Sequence, residues 1–256
     1  MWPFDRSRDR RQPLLARRLR LDQRPDVIYA IGDVHGCLDE LKRLETRIAE
    51  DAAGCAGDKL IVMLGDYVDR GPKSAQTLDW LMAPAPAGLR RLCLGGNHEA
   101  MLLQALDRPD RVQDWLAWGG EQTLESYGIR PTDFSRASTA ARRQMLHTCV
   151  PEEHRQFLRD LPLMLECDDL LFVHAGIRPD VSLSAQKPED LIWIREPFLT
   201  RDHGQGVRVI HGHTPSLQPV VLPYRICVDT LAYGEGRLTA ARIDADGGLA
   251  FLTSEA

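Results

Sequence analysis

The sequence predicts an α/β fold carrying a helical insertion, on three observations. Five short apolar runs each stop at glycine or a polar residue, as buried strands do on reaching a loop. A leucine-rich amphipathic segment joins the first two runs, and a long stretch of helical texture follows the third. With 256 residues, 43% of them hydrophobic and 27% charged, the chain is long enough to bury one sizeable core.

The elements follow in chain order. Residues 1–25 hold eight arginines against three aspartates, although the whole chain is at −5. This arginine-rich N-terminal arm has no apolar core of the roughly 7 to 15 residues that a secretory signal needs. It reads as a solvated arm or a helix lying on the surface, with docking to an anionic lipid surface or a partner as the alternative. The domain proper is expected over residues 26–256. "DVIYAIGD" is the first strand and "KLIVMLGD" the second. Between them, Leu38, Leu41, Leu44 and Ile48 recur at helical spacing, which makes a βαβ unit. "SAQTLDWLMA" is a second crossover, leading to the strand "LRRLCLGGN". From about residue 100 to 161 the texture is helical. Within it Trp115 and Trp118, three apart, are expected on one helix face, in the core or as a wall beside a site. "LLFVHAG" and "VRVIHGHT" return to strands, and the remainder reads as hairpins with glycine turns.

Bulk properties exclude several classes. No apolar run approaches the roughly 20 residues of a membrane-spanning helix, so a cytoplasmic protein is expected. An acidic balance argues against long nucleic acids as partners. The six cysteines contain no C-x-x-C pair and are expected to be free thiols, Cys37 a buried one. His147, His154 and His203 lie outside any motif and are expected at the surface.

The five strand ends share a chemistry. "GDVHG" offers Asp33 and His35, "GDYVDRG" offers Asp66, Asp69 and Arg70, and "GNHE" offers Asn97 and His98. "HAG" adds His174, and "HGH" adds His211 and His213. Ligands of open α/β sheets bind beyond the carboxyl ends of the strands, so these residues are expected to converge. One such pair is ordinary turn chemistry; five, each closing a strand, are not. Carboxylate, imidazole and amide oxygen make a mixed donor set suited to Mn, Fe, Zn, Co or Ni, with too few thiolates for a closed structural zinc site. The candidate ligands exceed one tetrahedral shell, so two divalent metal ions are expected, with Asp66 as the candidate bridge. Two such ions, less two aspartates and a shared hydroxide, leave a positive centre beside Arg70, which would draw and clamp a phosphoryl group. His98 is the candidate proton donor to the leaving oxygen, oriented by Asp69.

"GDVHG", "GDYVDRG", "GNHE", "HAG" and "GHT", in this order, resemble the signature of the phosphoprotein phosphatase family within the calcineurin-like metallophosphoesterases. The spacing is similar to that of its compact bacterial and phage members, from Asp26 onward. The resemblance implies a four-layer α-β-β-α sandwich with the helices outside. It implies that Asp33 and His35 bind a first metal, that Asp66 bridges, and that Asn97, His174 and His213 complete a second, with Mn2+ the common ion. His98 would be the general acid with Asp69, and Arg70 a phosphate ligand. "DLIWIREPF" resembles the segment that brings a second phosphate-binding arginine, here Arg195. Spacing does not choose between His211 and His213; the resemblance selects His213 and leaves His211 to support or packing.

The implied activity is phosphomonoester hydrolysis by direct attack of water, first on phosphoserine or phosphothreonine in proteins, with small phosphoesters also accepted. The alternative is hydrolysis of dinucleoside polyphosphates such as diadenosine tetraphosphate, or of RNA-cap-type nucleotides. A non-catalytic phosphate-binding scaffold is a second alternative, and every ligand it would have lost is present. An open groove beside the metals would favour a phosphopeptide; a closed pocket with a stacking aromatic would favour a nucleotide.

Overall fold

The computed structural model describes residues 17–255. Most of the arginine-rich arm, residues 1–16, lies outside the described residues. Its end does not: β1 (Arg18–Arg20) is an edge strand, pairing parallel with β5 (Met164–Cys167), where an arm or a surface helix was expected. Leu19 packs against the core between the sheets, Leu21 is buried, and the Arg18 guanidinium donates to the Leu183 carbonyl at 2.7 Å. Burial of alternate leucines holds a segment that its charge alone would leave in water.

The remaining strands begin with β2 (Val27–Ile31), β3 (Lys59–Met63) and β4 (Arg90–Cys93), which are parallel neighbours. The hairpin of β10 (Thr239–Asp244) and β11 (Leu249–Thr253) extends their sheet antiparallel, in the order β11-β10-β2-β3-β4. The second sheet runs β1-β5-β6-β7-β9-β8, with β6 (Leu170–Val173), β7 (Arg208–His211), β8 (Val220–Val221) and β9 (Arg225–Cys227). The late segment "YRIC" therefore joins the second sheet, parallel to β7 and antiparallel to β8, while the hairpin with the expected glycine turn is β10–β11.

Strand periodicity explains the layers. On β2, Val27, Tyr29 and Ile31 face the helices, whereas Ile28 and Ala30 face the other sheet. On β6, Leu170 and Phe172 meet that inter-sheet core, whereas Leu171 and Val173 pack outward against α9 (Pro188–Trp193). Side chains alternating at period two thus serve two cores from one strand, so these runs are apolar throughout. Helices cover both outer faces, as a four-layer α-β-β-α sandwich requires.

On the first face lie α1 (Leu38–Ala53) and α2 (Ser74–Met82). Leu41, Leu44 and Ile48 of α1 are fully buried, each worth about 1.5–3 kcal/mol of transfer free energy. Asp39 and Glu40 in its first turn complement the helix dipole. The helical insertion begins at residue 97, a little before the expected 100, with α3 (Asn97–Asp107). It continues through α4 (Gln113–Trp115), a π turn over Leu116–Gly120, α5 (Glu121–Ser126), α6 (Pro131–Arg136), α7 (Thr139–Cys149) and α8 (Glu152–Asp160). Leu102, Trp115, Phe134 and Leu158 share one core with α1, so the insertion is continuous with the domain. All six cysteines are free. No helix among the described residues is long and apolar enough to cross a membrane.

Candidate active site

Every predicted loop leaves the carboxyl end of its strand on the same side. Asp33 follows β2, Asp66 follows β3, Asn97 and His98 open α3 after β4, His174 follows β6 and His213 follows β7. Backbone hydrogen bonds tie these loops together: His35 N–H donates to the Asp66 carbonyl at 2.8 Å, and Gly212 N–H to the His174 carbonyl at 2.8 Å. His35, Asp66, Asp69, Arg70 and His213 all adopt positive φ, between 45° and 71°. For residues with a Cβ this region costs about 1–2 kcal/mol each, so the strain is concentrated where the side chains converge.

Asp66 is the centre. His35 Nε2 lies 3.6 Å and His98 Nε2 3.9 Å from its Oδ2, while His174 Nε2 lies 3.4 Å from its Oδ1. Two three-residue sets, His35–Asp66–His98 and Asp66–His174–His213, bring their donor atoms within 4.8 Å of one another and share Asp66. Asn97 Oδ1 sits 2.8 Å from His174 Nε2. Asp33 belongs to neither set; both its oxygens accept from the His213 backbone N–H at 3.1 Å. Gly96 is required for this packing, because a Cβ there would stand 2.2 Å from Asp66 Oδ1.

The imidazoles are oriented from behind. His35 Nδ1 meets the Val68 carbonyl at 2.9 Å, and His174 Nδ1 the Leu64 carbonyl at 2.9 Å. A carbonyl only accepts, so Nδ1 carries a hydrogen in both rings and Nε2 is the atom left facing Asp66. Burial holds His35 down at about 3 and, with the charge of His174, His213 at about 3, so both present the neutral form that ligates. Burial opposes charging His174, but Asp66 outweighs it and pushes it up to about 10. The same buried Asp66 is held well below the usual carboxylate range by the histidines around it, against its desolvation. Burial, then Asp229, raises Asp33. A cation between Asp66 and His174 would satisfy what a proton satisfies there. His213 Nε2 is buried with no partner among the described residues. An orphaned imidazole lone pair beside a carboxylate, in a mixed O/N donor set, fits divalent metals.

His98 differs from the other three. Its Nδ1 is 2.7 Å from Asp69 Oδ2, and its Nε2 is 3.2 Å from an Arg70 guanidinium nitrogen. Burial opposes its charging, but Asp66 and Asp69 raise its pKa above the ordinary value. Although donor spacing alone admits His98 as a ligand, the Arg70 cation already occupies the space beside Nε2. Asp69, fully buried, also accepts from the Trp115 indole N–H at 3.0 Å and the Thr123 hydroxyl at 2.6 Å. Arg70 is half-buried and lies 4.7 Å above the Tyr233 ring. Arg195 is exposed at the other edge, its guanidinium 3.4 Å from the His213 carbonyl. The two arginines thus flank the carboxylate and imidazoles.

Some residues are placed differently from expectation, and some were missed. His211 points away from the cluster, its Nε2 3.3 Å from Arg225, which agrees with a packing role. Of the three histidines expected at the surface only His147 is exposed. His154 is buried against Tyr127 and Asp79, and His203 is buried, stacked on Phe198 and bonded to the Tyr224 carbonyl. Trp115 and Trp118 do not share a face: Trp115 is buried and Trp118 is 46% exposed, because the π turn and Gly119 at φ 106° rotate the chain between and after them. Glu99 was not singled out. Its carboxylate accepts from the backbone N–H groups of Asp66, Tyr67 and Gly96 at 2.7–2.8 Å, and burial followed by Asp66 pushes it up to about 7. The signal that could have found it is the capping position three residues after Gly96. Cys37 is a buried thiol, pushed up to about 12 by burial.

With that geometry in place, comparison with known proteins places the chain. The chain is 34% identical over 158 residues to the symmetrical bis(5'-nucleosyl)-tetraphosphatase of Dechloromonas aromatica (strain RCB), covering 52% of this chain. That alignment spans 55% of the relative, about half its length. The chain is 26% identical over 236 residues to the asymmetrical bis(5'-nucleosyl)-tetraphosphatase of Bacillus velezensis, covering 83% of this chain and 87% of that one. Among solved structures, a candidate diadenosine tetraphosphatase superposes with a TM-score of 0.64 at 19% identity, covering 93% of this chain and 98% of that one, a likeness of fold. Residues 27–236 match the calcineurin-like phosphoesterase family, and to that family the chain belongs.

Proposed function

We propose that the chain is a metal-dependent hydrolase of dinucleoside polyphosphates. The observation that carries the chemistry is the convergence of imidazoles on both oxygens of buried Asp66, flanked by Arg70 and Arg195. The motifs lean toward a phosphoserine or phosphothreonine protein phosphatase, but both relatives aligned above are named bis(5'-nucleosyl)-tetraphosphatases. The space beside Arg70 is an open groove, a shape that also admits a peptide; what favours a nucleotide there is the exposed aromatic Trp118 in its wall.

Asp33, His35 and Asp66 would hold one divalent ion, and Asp66, Asn97, His174 and His213 the other. Two ions so held would activate water at neutral pH and offset the charge of the phosphoryl oxygens. The chain does the rest. Arg70 and Arg195 bind the polyphosphate from its two sides and align the reacting phosphorus. When Arg70 swings from His98 onto phosphate it frees His98 Nε2. Asp69, fixed by Trp115 and Thr123, favours the imidazolium, and Nε2 gives its proton to the departing oxygen.

The test is turnover by metal-stripped protein reloaded with Mn2+, on diadenosine tetraphosphate and on a phosphoserine peptide at matched concentrations. A kcat/KM about 10²-fold higher on the nucleotide, or about 2.7 kcal/mol of transition-state preference, is expected. The reverse ratio would return the protein to the phosphatase reading.

A further inference from the structure

A cavity of about 410 Å3 opens beside the metal ligands, walled by Arg70, Trp118, Gln122 and Tyr233. We infer that it is an adenine subsite, in which Trp118 stacks on the base and Gln122 reads its edge. The inference rests on the proposed function, since it supplies the place for one nucleoside of the substrate.

The volume falls within the roughly 300–1,000 Å3 of small-molecule pockets. Arg70 joins the cavity to the chemistry, because its guanidinium reaches His98 Nε2 at 3.2 Å. A phosphate held by Arg70 therefore leaves its nucleoside at the cavity mouth. Trp118 is 46% exposed, yet its turn is fixed: the Gly119 carbonyl accepts from the Arg70 backbone N–H at 3.0 Å. Gly119 has φ 106°, and a Cβ there would lie 2.7 Å from the Arg70 nitrogen, so only glycine lets the turn approach so closely. A large, half-exposed aromatic on a fixed turn beside an anion-binding arginine is a stacking platform with little backbone ordering left to lose. Tyr233 is committed elsewhere, carrying Arg70 on one face and meeting His35 edge-on at 5.2 Å.

Gln122 supplies the edge contact. Its Oε1 is buried without a partner among the described residues, so turning the amide toward a ligand donor breaks no bond seen on that oxygen. A carboxamide matches adenine bidentately, its oxygen accepting from N6–H and its nitrogen donating to N7.

The test is equilibrium binding to the Mn2+-loaded protein of α,β-methylene-ADP and of methylenediphosphonate, which share a hydrolysis-resistant P–C–P unit and differ by the nucleoside. The nucleoside should tighten binding at least about tenfold, as one stacked base does. Trp118→Ala and Gln122→Ala should each shrink that ratio several-fold while methylenediphosphonate binds as to wild type. A wild-type ratio near one, or a ratio that survives both substitutions, overturns the subsite. A collapsing ratio without turnover of diadenosine tetraphosphate keeps the subsite and sinks the proposed substrate. Turnover with a ratio near one does the opposite.

Discussion

Replacing His98 with asparagine separates proton donation from metal binding. The six residues assigned to the ions, Asp33, His35, Asp66, Asn97, His174 and His213, are untouched, so ion content should stay as in wild type. What is lost is the Nε2 nitrogen that would carry the donated proton once Arg70, now 3.2 Å away, moves to phosphate, and the charge-assisted bond from Nδ1 to Asp69 at 2.7 Å. General acid catalysis contributes about 10²–10⁴-fold, most where the leaving oxygen is a strong base. His98→Asn should therefore lower kcat about 10²-fold or more on an alkyl phosphate, and less on a phosphoanhydride. On 4-nitrophenyl phosphate, whose leaving group departs unprotonated, the loss should be smallest. The lost bond to buried Asp69 removes about 1.5–3 kcal/mol of stability, so folding is checked alongside by thermal unfolding. The assay is steady-state turnover across the three substrates with metal content measured on each sample. An equal loss on all three would refute a proton-donating His98.

Two further substitutions probe the frame. Glu99→Gln replaces an acceptor of three short backbone bonds with a group that has one oxygen and a donor, leaving buried N–H groups unpaired. It should cost about 2–4 kcal/mol and lower Tm by roughly 5–15 °C at this chain length; an unchanged Tm in calorimetry would show that the loops hold without it. Gly96→Ala puts a Cβ 2.2 Å from Asp66 Oδ1 and 2.6 Å from its backbone nitrogen. Ion affinity measured by titration calorimetry should fall at least tenfold, as displacement of a shared ligand's support does, and retention of wild-type affinity would mean that Asp66 has room to move.

The residues that converge around Asp66 were legible because glycine, a turn and a carboxylate, amide or imidazole stand together at each strand end, and strand runs apolar throughout mark burial on two faces. Asp33, Asp66 and Asn97 needed no more than that, whereas His213 was separated from His211 only by the family resemblance. The support behind them did: Trp115 and Thr123 reach Asp69 from 46 and 54 residues away, and nothing in their own neighbourhood says so. Trp118 was misplaced because helical spacing assumes an α turn, whereas the chain makes a π turn there and breaks at Gly119. His154 and His203 sit in polar sequence yet are buried by partners distant in the chain, Asp79 and Tyr224 among them. Strand β1 is three residues long and two-thirds arginine, too short for alternation to register.

The account centres on Asp66 as the residue shared by two ions, and metal stoichiometry tests it most directly. Stripped wild-type protein titrated with Mn2+ and measured by atomic emission should retain about two ions per chain, as a shared carboxylate allows. Asp66→Asn should retain fewer than one and lose phosphoesterase activity with them. One ion per chain in wild type, or two retained by Asp66→Asn, would contradict a centre built on that carboxylate.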